Sequence, residues 1–173
     1  MKRLSIFIMV MAGFLATASV VKGEQIRAIL TGYEETPAAV STTGRGEFSA
    51  IIADDGQSIR YRETFRGLQG KITQSHIHVG QLSIGGSVVI FLCQTDTNKD
   101  PTGLAPQCPQ EGTVDGVITS ANVIAGSQAP QQLAAGDLAA IITAIRAGAT
   151  YANVHTDLSP GGEIRGQIRV VGK

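Results

Sequence analysis

Ser58-Ile59-Arg60-Tyr61-Arg62-Glu63-Thr64-Phe65 reads with a period of two. Ile59, Tyr61 and Phe65 fall on one parity, and Ser58, Arg60, Arg62 and Thr64 on the other. Successive side chains of a strand point to opposite faces, so the stretch reads as an antiparallel strand with one wet face. Just before it, Gly46 to Ala53 (GEFSAIIA) carries a second strand signal. Asp54-Asp55-Gly56-Gln57 supplies turn chemistry between the two, and the pair is expected to form a hairpin. Glu63 lies on the apolar parity. A bulge or edge position that resets the face is the favoured explanation; a buried carboxyl with a partner is the alternative.

Working outward, Gln25 to Leu30, Lys71 to Val79 and Ser87 to Leu92 are further strand signals, with Gly85-Gly86 opening the last of these. Thr113 to Thr119 is a shorter strand in which Gly116 marks an expected bulge. Thr150 to Thr156 and Glu163 to Val171 close the chain as two more strands. Between them the period changes. Leu138, Ile141, Ile142 and Ile145 fall at i, i+3, i+4 and i+7, one face of a helix. Asp137 suits its start, and Gly148 suits the position just past its end. No internal repeat or linker interrupts the series. The expectation is a mainly β domain, residues 24–173, built as an antiparallel Greek-key-like β-sandwich or flattened barrel with one α-helix near 137–147.

The first residues read differently. Lys2 and Arg3 precede an apolar run, Leu4 to Leu15, and Ala16-Thr17-Ala18 follows with the small-x-small pattern of a signal peptidase site. A signal peptide over 1–18 (or 1–23) is expected, and with it a secreted or periplasmic protein. The run is short for a permanent membrane anchor, so no transmembrane segment is expected after cleavage. Basic and acidic residues number 14 each, and nothing in this balance points to a nucleic-acid or polyanion partner. Aromatics make up only 5% and Trp is absent, which leaves little on which bases could stack. Cys93 and Cys108 flank a polar loop, and in an oxidising compartment they are expected to form a disulfide.

All three histidines lie in two strand signals, His76-Ile77-His78 and Asn153-Val154-His155-Thr156. His76 and His78, at i and i+2, project from one face. If the later strand runs beside them, His155 completes a three-nitrogen set able to hold one copper or zinc ion. Asn153, Glu163 and Arg165 are the candidates for a supporting role around such an ion. A hydrogen-bonded structural cluster and a metal-free proton-transfer role are the other readings of the same residues. No G-x-S-x-G is present to suggest a nucleophile.

Several stretches together resemble the chordin-type (CHRD) domain family. They are Leu30-Thr31-Gly32-Tyr33-Glu34-Glu35-Thr36-Pro37, with Gly44 beyond it, then Gly67-Leu68 and Ser75-His76-Ile77-His78-Val79-Gly80. Gly85-Gly86, the Cys93/Cys108 pair, Tyr151 to Thr156, and Pro160-Gly161-Gly162-Glu163-Ile164-Arg165-Gly166-Gln167 follow in order. The resemblance implies a single exported domain with an extracellular or envelope partner. In chordins such domains accompany cysteine-rich modules that bind growth factors; this sequence has no such module. A weaker similarity links His76, His78 and His155 to the copper-site histidines of copper/zinc superoxide dismutase. The further histidines that family needs for its zinc half are missing. Two functional expectations follow: a non-catalytic exported module that holds at most one metal ion, or a mononuclear copper or zinc dismutase-like enzyme.

Overall fold

Among the described residues, nine strands and one α-helix follow one another as β1 (Gly23–Thr31), β2 (Arg45–Ala53), β3 (Ile59–Arg66), β4 (Ile72–Val79), β5 (Ser87–Cys93), β6 (Gly112–Ile118), α1 (Leu138–Arg146), β7 (Thr150–Thr156), β8 (Ile164–Gln167) and β9 (Arg169–Val170). The computed structural model describes residues 23–172. The expected export signal therefore lies outside the described residues, except for Gly23. All strands join one antiparallel sheet in the order β5-β4-β7-β8-β1-β2-β3-β6, with β9 beside β1.

The hairpin read from the sequence forms as expected. Gly46 pairs with Phe65 and Ile52 with Ile59, with no break in register. Its apolar parity continues into both neighbours: Ile26 lies opposite Ala50, and Gly116 opposite Tyr61. The sheet then curls on itself. Tyr61 of β3 donates its hydroxyl to the Leu92 carbonyl of β5 at 2.6 Å, and Ser75 of β4 meets Glu63 of β3 at 2.6 Å. These contacts join inner faces at the two ends of the strand order, so the sheet is a nearly closed, flattened barrel. α1 covers one end. Asp137 caps it by accepting the Ala140 amide at 2.9 Å, and Leu138, Ile141, Ile142 and Ile145 are buried in the barrel core. Arg146 ties its last turn to Glu24 at the start of β1, at 2.7 Å.

Three expectations need correction. Glu63 is not at a bulge: β3 is regular on both sides, and the side chain is fully buried among the inward residues. Burial pushes its carboxyl up to about 8, against a smaller opposing effect of Ser75, so it is mostly neutral at pH 7. Ser75 Oγ lies 2.6 Å from Glu63 Oε2 and 3.1 Å from the Asn153 carbonyl. One hydroxyl proton cannot serve both oxygens. A protonated Glu63 that donates to Ser75, which then donates onward to the carbonyl, would satisfy both contacts, while Glu63 Oε1 stays buried without a partner among the described residues. Gly116 is not a bulge either. It pairs in register with Tyr61, and a Cβ there would come within 2.9 Å of the tyrosine ring. Finally, the expected strand from Glu163 to Val171 is two strands. β8 pairs with β7, and after Ile168 the chain continues as β9 along β1.

Candidate metal centre

β4 and β7 run antiparallel, with Gln74 opposite His155, His76 opposite Asn153 and His78 opposite Tyr151. Opposed residues project to the same face, so the two strands present all three imidazoles on one surface. β8 extends that surface with Arg165 opposite Asn153. Ser75, Ile77, Ala152 and Val154, on the other parity, are buried on the inner side. The histidines are thus on the outside of the barrel wall, yet His76 is only 2% exposed, His78 7% and His155 6%.

Loops form a roof over them. Gly86 brings its carbonyl within 3.1 Å of His78 Nδ1, and Pro160 does the same for His155 Nδ1 at 3.0 Å. Gly86 packs so closely on β4 that any Cβ would overlap the Val79 carbonyl. Arg165 holds the roof from below, donating to the carbonyls of Gln81 (3.1 Å) and Ile84 (3.0 Å) and to Thr36 Oγ1 (2.7 Å). Its guanidinium lies 3.5 Å from the centre of the Tyr151 ring, and that ring stacks on His78 at 4.6 Å. Phe91 of β5 meets His76 edge-on at 4.3 Å.

A carbonyl can only accept, so Nδ1 of His78 and of His155 carries the proton and Nε2 the free lone pair. Those two Nε2 atoms and both nitrogens of His76 are shielded from solvent and have no hydrogen-bond partner. One ligand atom from each ring can be chosen so that all lie within 4.8 Å of one another. Burial pushes all three imidazoles below their ordinary range, His78 to about 4, and the rings' mutual proximity adds to the effect at His76. They are therefore neutral at pH 7, the form that ligates metals. A buried polar atom left unpaired costs about 1–3 kcal/mol, so four together are a substantial burden for a small domain.

A CHRD domain profile matches residues 26–168. The chain belongs to the CHRD family. No curated protein and no solved structure matches it significantly. The matched span of this CHRD domain takes in the three histidines and both cysteines. Cys93 and Cys108 are disulfide-bonded as expected, and no described helix is long and apolar enough to cross a membrane.

The three supporting candidates read from the sequence sit close to the cluster in the chain but do not hydrogen-bond the imidazoles. Asn153 donates to both carboxylate oxygens of Glu35, at 3.1 and 3.2 Å. Arg165 anchors the roof. Glu163 accepts from Thr42 and Thr156 hydroxyls and from the Gln69 and Gly70 amides. Burial opposes its ionisation, but these donors outweigh it and hold the carboxyl below its usual range. Glu163 therefore laces three loops together. Sequence reading missed Glu35, Tyr151 and the carbonyls of Gly86 and Pro160. Tyr151 was within reach, because it shares parity with Asn153 and His155. Glu35 enters from a loop, where no period marks it. Burial pushes its carboxyl up to about 7, with Asn153 and Arg165 pulling the other way.

Proposed function

We propose that this CHRD domain is an exported, non-catalytic module whose His76, His78 and His155 hold one copper or zinc ion. The observation that carries the reading is the set of four buried imidazole nitrogens without partners. A shared ion satisfies the lone pairs of all three rings at once, three of these four nitrogens, and leaves one His76 N–H. Carbonyls on Nδ1 are the usual way to fix a ligating imidazole. Bonds of about 2.0–2.1 Å draw the rings inward from their present spacing. The same geometry favours a holding role over turnover, because a catalytic metal needs a position open to its substrate and these nitrogens are shielded by the roof. Export is supported by the apolar leader read from the sequence and by the disulfide. Its partner is expected to be extracellular or in the envelope.

Elemental analysis of untagged protein tests the reading, with the apo form titrated with zinc and, under reduction, with copper. One ion per chain is expected, lost in His78→Ala. No uptake of either ion overturns metal binding and leaves buried water to satisfy the imidazoles. Bound copper with dismutase activity that His78→Ala abolishes overturns the non-catalytic part.

A further inference from the structure

The balanced charge of the chain conceals a segregated one. Among the described residues ten side chains are Lys or Arg. Six of them, Arg27, Arg45, Arg60, Arg62, Arg66 and Arg169, are exposed on the outer parity of β1, β2, β3 and β9. On β1, β2, β3, β6 and β9 that parity carries only Glu47 and Asp115 as acids. Arg27 pairs with Glu47 at 3.0 Å, and Arg45 donates to the Thr42 and Gly44 carbonyls. Arg60, Arg62 and Arg66 make no ion pair or side-chain hydrogen bond among the described residues.

We propose that this face binds an anionic polysaccharide. Register sets the spacing of its charges. Arg169 lies beside Arg27, and Arg62 is two strands further along the same row, so neighbouring positions are about 4.8 Å apart. Along β3, Arg60 to Arg66 spans roughly 20 Å at the strand rise. Two open troughs of about 460 and 500 Å³ run over the face, one lined by Arg45, Arg62 and Arg66, the other by Arg27, Arg60 and Arg62. A linear anion can lie across them where a small ligand finds no enclosure. Every cation on the face is Arg, whose planar fork grips carboxylate or sulfate with two parallel hydrogen bonds. No aromatic ring is exposed there for a base to stack on, and no helix projects to enter a duplex groove. Those features favour a sugar polymer over nucleic acid.

The test is binding of the full mature chain to dextran sulfate and, separately, to polygalacturonate, across a range of salt concentrations; the two arms distinguish sulfate from carboxylate recognition. Binding is expected at low salt and weakens as salt rises. The double variant Arg60→Ala/Arg62→Ala is expected to lose about tenfold in affinity, the equivalent of about 1.4 kcal/mol. Lys71→Ala/Lys99→Ala, away from the face, should leave binding unchanged. Circular dichroism and thermal melts of both variants check that the fold is intact. Failure to bind either polymer at low salt overturns the proposal, as does equal binding by the Arg60/Arg62 variant. Tighter binding to a DNA duplex or to phosphatidylglycerol vesicles also overturns it. None of these outcomes depends on whether the imidazoles hold an ion.

Discussion

Two outer faces of the same barrel wall carry polar side chains and treat them in opposite ways. Over β4, β7 and β8, three histidines, an asparagine and an arginine are roofed by loops and are almost wholly removed from water. Over β1, β2 and β3, arginines stand open to solvent at three register levels, those of Arg45 with Arg66, Arg27 with Arg62, and Arg60. Alternation along a strand decides only which way a side chain points. What lies above it is decided by loops that arrive from elsewhere in the chain, and here Gly86, Pro160 and Arg165 make the difference. A polar parity is therefore a surface in one place and an interior in the other.

Substitutions should separate the two faces by size of effect. The largest is expected for Gly86→Ala, since the added methyl has no space against Val79 and the roof must lift from His78. A loss of about 4 kcal/mol, in the range of severe strain or overpacking, is expected in urea unfolding, together with loss of ion uptake. A loss under 1 kcal/mol would mean the roof is loose and the two faces differ less than described. Next comes Arg165→Met, which leaves the carbonyls of Gln81 and Ile84 without their buried donor. About 3 kcal/mol is expected from the lost charged hydrogen bonds, and faster hydrogen exchange should be confined to residues 80–86.

Between the two faces lies the interior acid. The folded state holds Glu63 near a pKa of about 8, above its ordinary value of 4.5. From about pH 4.5 to 8 the folded chain therefore keeps a proton that the unfolded chain has lost, and stability falls as pH rises through that window. The imidazoles act in the opposite sense, because their folded values are lowered: the unfolded rings are still half protonated at their ordinary 6.5 and become effectively neutral only about one pH unit above it. Measured from about pH 7.5 to 8.5, where the unfolded imidazoles are already neutral, the urea midpoint should fall for the native chain and fall less for Glu63→Gln. Some slope should remain from Glu35, itself raised to about 7. Identical slopes would place a charged Glu63 in the core. The smallest effect is expected on the open face: Arg62→Ala should change stability by less than about 0.5 kcal/mol. A larger loss would mean that this face too is packed.

Much of this was written locally. The alternation of Ser58 to Phe65 identified the hairpin, and the i, i+2 spacing of His76 and His78 placed two imidazoles together. Asp137 and the apolar stripe from Leu138 marked the helix. The misreadings share one physical cause, a partner distant in the chain. Glu63 is buried because Ser75 meets it across the barrel, and Gly116 is small because the Tyr61 ring needs its space. Glu35 joins Asn153 from a loop. Charge counting failed at the arginine face for a related reason: a sum over the chain has no direction, whereas the sheet sorts the signs.

The shielded nitrogens also govern timing. If the imidazoles hold an ion as proposed, the Gly86 and Pro160 loops shield it, so a local opening of that roof must accompany the breaking of the coordination bonds before the ion exchanges. On that reading the ion is taken up most readily while the chain is still folding, and afterwards it is released only slowly, even to chelators that bind the free ion more tightly.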